Sequence, residues 1–579
     1  MLLAGAYYFG GQLDLPKLSI PTLSSNAAAA VEDISMADNA NFDNQDIDTS
    51  ITIDTNTDVM VLDESDSNDS PTHTETTESK GFTFALQEAK QVVKEIISQL
   101  TAPTITSKPF QIVGWFIYFV GLVAIVYRPR YGIYLIILLA LAGDSVLSPW
   151  YPFVKGFSSR ESLFFVNDSL IISPVETYII VTFVSWFGRQ FKNLRFNVYM
   201  GPLFWPAMVF LGFVVFGLIY GIATGGSINV ALWEARAIFY LVAMLVLTGN
   251  ILETPKQMST LLWVAMAALC LEGFAATLYY FLVLNRDLSQ LQSTNEHSAA
   301  IHLNTLFVLI VAVWLFRASL TKRIILPMMV PFVMFGYIAM QRRAAFLSLA
   351  IVMVLMTIIL YQERRRLFWR LAPIMIVLGM IYVVGFWNSS SSLALPVQAV
   401  KSVIASNQAG NEDQLSNDYR LLENQNISYT IHQHPLTGVG FGQKFYIIAP
   451  MPDISWFEWW EYITHNSIAW IWMKTGLAGF LAMVFLVGVT VVVGTQTLFL
   501  LTTPDTKAIA LTATLFVIMH FVFAYADMSW DSQSMIYLGV MMGLLNGLNR
   551  LVGSLEPQPH KQPARSLILN LRNWPRLTF

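Results

Sequence analysis

The residues with the clearest chemical potential are a histidine and three arginines that lie far apart in the sequence. His465 precedes an apolar segment, and an imidazole at a membrane–water boundary can take up a proton near neutral pH, as a general base must. Arg343, Arg236 and Arg420 carry planar guanidinium groups that suit the oxygens of a phosphate, often in bidentate fashion. Several such groups converging on one pocket would suit a pyrophosphate.

Each of these residues also has a structural explanation. A lone histidine usually has a structural role, and Arg236 lies two residues from a possible partner, Glu234. Residues two apart on a helix do not face each other, however. Arg343 lies in the short turn QRRAAFL, on the side of the membrane where basic residues are usually scarce. Charges in or near a bilayer are costly, so both arginines are candidates for function.

Composition places these residues in a membrane protein. The 579-residue chain is 55% hydrophobic and only 12% charged, with a mean hydropathy of +0.53, whereas soluble domains average about 25% charged residues. A span of the bilayer takes about 20 apolar residues, and such segments recur from Phe110 almost to the C-terminus. The sequence therefore predicts an all-α, polytopic membrane protein with about 12–14 transmembrane helices.

Charge divides the chain into unlike regions. Fourteen of the 38 acidic residues, and no Lys or Arg, lie between Lys17 and Lys80, so this polar segment is predicted to be disordered. The single cysteine, Cys270, excludes an intrachain disulfide. The predicted regions are a disordered acidic tail (1–80), an amphipathic interfacial helix with a linker (81–109), an N-terminal transmembrane bundle (110–387), a large periplasmic loop (388–464), C-terminal transmembrane helices (465–550) and a basic cytoplasmic tail (551–579).

Thirteen apolar segments alternate with loops whose basic residues predict the orientation. The segments are 110–127, 131–150, 174–188, 201–223, 230–250, 258–284, 300–317, 322–340, 345–361, 370–387, 477–501, 508–526 and 532–549. Cytoplasmic loops carry an excess of Lys and Arg, and the basic loops near residues 128, 192, 317 and 365 all fall on one side. By the same parity, the turn with Arg343 and the loop 388–464 lie outside.

The long outer loop is predicted to be ordered. Leu415, Tyr419, Leu422 and Tyr429 have the spacing of an amphipathic helix, and His434 begins the turn HPLTGVGFG. This glycine turn lacks the preceding strand and the Lys-Ser/Thr of a nucleotide-binding loop. The tryptophans of WFEWWEYITHNSIAWIW indicate an aromatic belt at the membrane boundary, with a carbohydrate-stacking role as the alternative.

Glycines are predicted to break the helix that follows His465. An unbroken helix from His465 to Leu501 would be about 55 Å long at 1.5 Å per residue, too long for one straight span. Gly476 and Gly479 are therefore expected to mark a break. The break would keep His465 near the outer surface, on a short helix packed against the bundle.

These motifs resemble those of the O-antigen ligase and polymerase family. His465-Asn466, followed by nine residues and Gly476-Leu-Ala-Gly479, resembles the histidine motif of that family, and Arg343 with Leu347 resembles its arginine motif. The segment from Arg420 through His434-Pro435-Leu436 resembles the stretch before the histidine. The resemblance covers roughly residues 230–480, and the extra N-terminal span and acidic tail depart from the family pattern.

The resemblance implies an inverting, metal-independent glycan transfer at the periplasmic face of a bacterial inner membrane. The donor would be a glycan linked to undecaprenyl pyrophosphate, and the acceptor a hydroxyl of lipid A core, of a growing glycan or of a protein. His465 would act as the base, the three arginines would bind the donor pyrophosphate, and Asn466, His434 and Gly476 would support the site. Membrane lipids surround the chain, and no nucleic acid, metal or other cofactor is expected.

Other functions remain open from the sequence. A polymerase of O-antigen or exopolysaccharide repeat units would use the same chemistry as a ligase. A flippase or ion-coupled transporter would also explain many spans and buried arginines, although such folds are usually built from internal repeats, and the sequence shows none. A membrane anchor that presents the acidic tail would leave Arg343 and His465 replaceable.

Overall fold

The structure is a computed structural model, and it describes residues 108–146, 164–167, 170–192, 195–282, 298–389, 391–405, 411–452, 454, 459–555 and 566–570. The chain divides into two units, Met1–Glu78 and Ser79–Phe579, and the described residues all belong to the second. The predicted acidic tail and nearly all of the predicted interfacial helix and linker lie outside the described residues.

Helices make up most of the described chain. In chain order they are α1 (Lys108–Tyr127), α2 (Arg130–Val146), α3 (Pro174–Lys192), α4 (Gly201–Ala223), α5 (Ile228–Ile251), α6 (Pro255–Leu282), α7 (Ala299–Leu315), α8 (Leu320–Ala339), α9 (Arg343–Glu363), α10 (Arg365–Phe386), α11 (Leu395–Ile404), α12 (Asn411–Gln433), α13 (Ser467–Leu500), α14 (Pro504–Ala526) and α15 (Ser532–Leu555). A 3₁₀ turn, Ser392–Ala394, precedes α11.

Strands are short and occur as two antiparallel pairs. The first pair joins β1 (Phe164–Asn167) to β2 (Leu170–Ile172). The second joins β3 (Arg195–Tyr199), between α3 and α4, to β4 (Ser566–Asn570) beyond α15. The architecture is therefore all-α, and over the residues that the structure describes the strands lie only in the connections and the C-terminal segment.

The prediction of a polytopic helical membrane protein is confirmed. Within the described residues, nine helices are long and apolar enough to cross a membrane: α4, α5, α6, α8, α9, α10, α13, α14 and α15. Shorter apolar helical segments lie in α1, α2 and α7. Each of the thirteen segments predicted to span the membrane overlaps one of the helices α1–α10 or α13–α15.

Packing concentrates on the last two helices. α15 lies along α5, α13 packs on α4 and α14, and α6 packs on α8 and α2. Most of α14 and α15 is buried inside the bundle, whereas α10 contains no buried residue. The C-terminal helices therefore form the centre of the described bundle, and α10 lies at its periphery.

The predicted large loop contains two helices, α11 and α12. The helix expected from the spacing of apolar residues in this loop is confirmed as α12, which ends at Gln433. His434 is the next residue. Its backbone N–H donates to the carbonyls of Thr430 and Ile431 at 3.2 Å and so continues the helical pattern. The loop is thus an ordered part of the protein over its described residues.

Helix α13 is broken at Gly476, as predicted. Gly476 has φ 70° and ψ −177°, so the chain leaves the helical path there. In an unbroken helix the N–H of Leu477 would donate to the carbonyl of Met473, four residues earlier. Instead the N–H of Leu477 donates to the Pro435 carbonyl at 3.0 Å. The Met473 carbonyl accepts from the N–H of Val439 at 2.8 Å, so the preceding loop replaces both partners.

Two glycines allow the loop and the broken helix to approach this closely. A Cβ atom on Gly476 would lie 2.0 Å from the carbonyl oxygen of Leu436. A Cβ atom on Gly438, which has φ 67°, would lie 2.4 Å from the carbonyl oxygen of Met473. Both distances are far shorter than a van der Waals contact, so only glycine fits at either position without a shift of the backbone.

We expect Gly476→Ala to destabilise the protein by at least about 2 kcal/mol, because a positive φ costs about 1–2 kcal/mol and the methyl group would meet a carbonyl. Gly488→Ala, in the second half of α13, is the matched control, since a Cβ there meets nothing within 4 Å. Thermal unfolding of the detergent-purified protein should show a lower midpoint for Gly476→Ala alone. Equal midpoints would contradict the close docking of loop and helix.

Candidate active site

His465 lies just before α13, two residues ahead of the first helical residue, Ser467. Between them Asn466 caps the helix, because its side-chain Oδ1 accepts from the N–H of Ala469 at 3.1 Å. Asparagine is among the preferred residues at this position. The His465 side chain is 25% exposed, so it is both anchored and accessible.

A buried carboxylate orients the His465 ring. Nδ1 of His465 lies 3.2 Å from each carboxylate oxygen of Glu423, on α12. The backbone N–H of His465 also donates to Glu423 Oε2 at 2.9 Å. Only 2% of the Glu423 side chain is exposed. A carboxylate at this position favours the tautomer with the proton on Nδ1 and the lone pair on Nε2, which is the arrangement that a histidine base requires.

Tyr419 completes the surroundings of the histidine. Its ring meets the His465 ring edge-on, with the centroids 5.6 Å apart. Tyr419 precedes Glu423 by one helical turn, so both side chains lie on one face of α12. Burial, and then the neighbouring Glu423, raise the pKa of the Tyr419 hydroxyl. Tyr419 therefore packs against the imidazole as an uncharged side chain. The carboxylate of Glu423 is the charged group that contacts the imidazole.

Two arginines share a second buried carboxylate nearby. Asp527, directly after α14, lies 3.9 Å from Nη1 of Arg342 and 3.9 Å from Nη2 of Arg420. Asp527 is 2% exposed, Arg342 13% and Arg420 25%. Arg342, which pairs with Asp527, directly precedes Arg343, the arginine predicted from the sequence. Arg343 is the first residue of α9.

The two guanidinium groups carry one positive charge each, and Asp527 balances only one of these charges. Burial, and to a smaller extent Arg420, lower the pKa of Arg342, while Asp527 opposes the shift. An arginine still stays protonated in proteins. The Nε atoms of Arg342 and Arg420 are buried and have no hydrogen-bond partner among the described residues. The pair can therefore offer N–H donors and a net positive charge to an anion.

A cleft of 190 Å³ brings the histidine and an arginine together. Its lining consists of Arg420, Asn424, His465, Asn466, Tyr525 and Ala526. Three of the residues predicted from the sequence therefore face one space, namely His465, Asn466 and Arg420. Asn424 and Tyr525 were not predicted, although the spacing of Asn424 four residues after Arg420 was a usable signal, because such residues share a helix face.

Arg236 makes its contact elsewhere. Its Nε lies 3.3 Å from Glu176 Oε1 at the start of α3, and the hydroxyl of Tyr240 donates to the same oxygen at 2.6 Å. The expected structural partner, Glu234, is paired with Lys474 instead, at 2.8 Å. Arg236 is not among the residues that line the cleft.

The remaining predicted residues shape the loop. His434 Nε2 lies 3.2 Å from the Tyr446 hydroxyl, at the start of the turn that docks on the break at Gly476. Neither His434 nor Gly476 lines the cleft. Both act on the backbone that leads to it.

A fully buried ion pair locks this loop to the bundle. The side chains of Glu234 and Lys474 are 0% exposed. Glu234 Oε2 accepts from the N–H of Gly442 at 2.6 Å, and the ammonium of Lys474 donates to the Gln443 carbonyl at 2.6 Å. These contacts join α5, the first half of α13 and the glycine turn. They thereby fix the short part of the chain from His465 to the break at Gly476.

We expect Asp527→Asn to destabilise the protein by less than the about 3–5 kcal/mol that breaking a fully buried ion pair costs, because the contacts are 3.9 Å long and the arginines are partly exposed. Adding Arg342→Met should recover part of the loss, since it removes one of the two buried cations. Thermal unfolding of the single and double variants gives the comparison. A double variant that is less stable than Asp527→Asn alone would show that the arginine does not depend on this carboxylate.

Comparison with known families adds an independent finding. Residues 329–484 match the family model described as O-antigen ligase. This segment runs from α8 to the first part of α13, and it contains both neighbouring arginines, Glu423, His465 and the break at Gly476. Asp527 and Tyr525 lie beyond it. No curated protein matches the chain.

Proposed function

We propose that this chain, a membrane enzyme of the glycan ligase and polymerase kind with an O-antigen ligase domain, transfers a glycan from an undecaprenyl-pyrophosphate-linked donor to a hydroxyl acceptor. The observation that supports it best is the juxtaposition of an oriented imidazole and paired guanidiniums. Glu423–His465 and Arg420, which shares Asp527 with Arg342, meet at one cleft. A base and an anion site side by side suit a displacement from a pyrophosphate.

His465 is proposed as the general base. With the proton of its neutral form on Nδ1, facing Glu423, the lone pair of Nε2 accepts the proton of the acceptor hydroxyl as its oxygen attacks the donor. Glu423 then stabilises the imidazolium, as the carboxylate of a catalytic triad does. The buried carboxylate also keeps the ring in one orientation, which avoids the entropy cost of fixing it during reaction.

The arginines are proposed to bind the leaving group. As the acceptor oxygen bonds to the anomeric carbon, the bond from that carbon to the pyrophosphate oxygen breaks, and undecaprenyl pyrophosphate departs with the electron pair. Guanidinium groups held next to the developing charge stabilise it electrostatically. At 3.9 Å the contacts to Asp527 are longer than charge-assisted hydrogen bonds of about 2.7–2.9 Å, so phosphate oxygens can replace this carboxylate on Arg342 and Arg420.

A single displacement of this kind inverts the configuration at the anomeric carbon. In this proposal protein side chains, and not a metal, stabilise the developing charge. Arg343 and Arg236 stay in the proposal as further ligands of the donor pyrophosphate. Arg236 would have to exchange Glu176 for the donor, so its replacement should reduce transfer less than replacement of Arg420.

The distribution of basic residues supports a periplasmic site. Burial lowers the pKa of Arg364, and the nearby Arg317 and Arg323 add to the shift, so the loops after α7 and α9 meet at one face. The site lies at the opposite ends of the helices, where α9 and α13 begin and α14 ends. Because basic loops face the cytoplasm, we place the chain in the bacterial inner membrane with its cleft toward the periplasm.

A strain that lacks the protein, complemented with wild type, His465→Ala or Arg420→Ala, tests the proposal. Each variant should be present in the membrane at the wild-type level. We expect wild type alone to restore the surface glycan, because the variants lack the base or the anion site. Acceptors capped with one repeat unit in the variants would identify a polymerase. Normal glycan with both variants would overturn the catalytic assignment.

Replacement of the orienting carboxylate isolates its role. Glu423→Gln keeps the shape but removes the charge that favours the reactive tautomer, so kcat should fall about 10²-fold or more while KM for the donor changes little. Glu461→Gln is the matched control, because Glu461 lies in the same loop and pairs with the exposed Lys444. The assay is glycan transfer by purified protein in nanodiscs. An unchanged kcat for Glu423→Gln would remove Glu423 from the mechanism.

A further inference from the structure

We infer that the cleft between Arg420 and His465 is a subsite for one neutral sugar ring, the ring bonded to the donor pyrophosphate, and that Asn424, Asn466 and Tyr525 determine which sugar it accepts. This inference rests on the proposed function, since it takes the arginine end as the pyrophosphate site and His465 as the base. It adds a specificity function to three residues of the lining.

The order of the groups defines the position of the ring. In a displacement at an anomeric carbon, the leaving oxygen and the attacking oxygen lie on opposite faces of that carbon. Arg420 and His465 both line the cleft, so a sugar whose pyrophosphate binds Arg420 and whose anomeric carbon is attacked by an oxygen next to His465 lies in the space that they share. Asn424 is one helical turn after Arg420, and Asn466 follows His465 directly. The two amides, which hydrogen-bond to each other, therefore meet the same side of the ring.

The size of the cleft suits a single ring. Its volume of 190 Å³ equals that of about six water molecules at roughly 30 Å³ each. Such a space has room for one hexose-sized ring. The rest of the donor glycan and the acceptor must then extend from the cleft into the surroundings.

Hydrogen bonds orient both amides. The Asn466 Oδ1 accepts from the N–H of Ala469, and only the oxygen of an amide can accept. Nδ2 of Asn466 is therefore the atom that faces Asn424, and it donates to Asn424 Oδ1 at 3.0 Å. By elimination, the two N–H groups of Asn424 point away from this bond. The helix cap thus determines which donors and acceptors a ligand meets.

The chemistry of these groups indicates a neutral ring with hydroxyl or amide substituents. Amides both donate and accept, as hydroxyl and acylamino groups do. A site built to hydrogen-bond a substrate group discriminates strongly against an analogue without it, because its own polar groups then stay unpaired. Among the described residues that line the cleft, Arg420 is the only Lys or Arg, and the pyrophosphate engages it.

Tyr525 supplies an apolar face for the ring. It lies in the last turn of α14 and is 60% exposed, which is high for a large aromatic side chain. An aromatic ring combines a flat apolar surface with a polar hydroxyl, so it can stack on the C–H groups of a sugar. Tyr525→Phe should keep this surface, and Tyr525→Ala should remove it.

The test compares two probes on the full-length protein in nanodiscs: a polyprenyl pyrophosphate without sugar, and the same lipid carrying one neutral hexose. Wild type should bind the hexose probe about tenfold more tightly than the bare lipid, the effect of one or two hydrogen bonds. Asn424→Ala and Tyr525→Ala should each reduce this preference and leave the affinity for the bare lipid unchanged. Tyr525→Phe should retain the preference.

Two controls separate the possible failures. Arg420→Ala should weaken both probes, and Tyr127→Ala should change neither, because Tyr127 is similarly exposed at 65% but lies at the end of α1. A hexose preference that survives Asn424→Ala and Tyr525→Ala, or that is absent in wild type, overturns the sugar subsite alone. If wild type binds neither probe, the proposed function fails together with this inference.

Discussion

The hydrogen bonds across the break in α13 are the constraint on which the rest of the site depends. A helix interrupted in a membrane protein exposes a carbonyl and an N–H that lipid cannot satisfy, at a cost of several kcal/mol per group. Here the loop before His465 returns to the break at Gly476 and pairs with both groups. The same bonds that make the break tolerable therefore dock the loop, and the docked loop holds α12 beside the histidine.

Charge within the bundle adds precision to that docking. A buried ion pair gives little net stability, because desolvation offsets its attraction, but its geometry is demanding. Glu234 and Lys474 meet without exposure to solvent, and each also bonds to the backbone of the glycine turn. A shift of the turn would remove the backbone hydrogen bonds of both side chains, so the pair favours one register of loop against helix.

The helices were predictable because length, hydropathy and the positions of Lys and Arg are signals that run along the chain. His465, Asn466 and Arg420, which line one cleft, could be selected from the sequence as residue types suited to the proposed chemistry. Glu423 and Asp527 were not, because a carboxylate in a polar helix or turn has no sequence feature that distinguishes a buried partner from a solvated one.

Long-range pairing explains the other differences between sequence and structure. Neighbouring residues such as Arg342 and Arg343 differ only in the direction of the side chain, which depends on where α9 begins. Arg236 on α5 contacts Glu176 on α3, and the two residues are 60 positions apart in the sequence. No local sequence pattern predicts such a contact. Helix positions could thus be predicted, whereas the partners of charged groups required the packed structure.

The packing of α5 on α15 has a consequence for biosynthesis. The two helices are separated by about half of the chain, and α15 is the last of the described helices to leave the ribosome. Until then the face of α5 that it covers, including the buried Thr248 next to Gly543, must be shielded by lipid, by another helix or by the insertion machinery. Asp527 also follows α14, so the arginines lack their shared carboxylate until translation is almost complete. The cleft is therefore complete only late in synthesis, because Tyr525 and Ala526, which line it, lie beyond the family-matched segment.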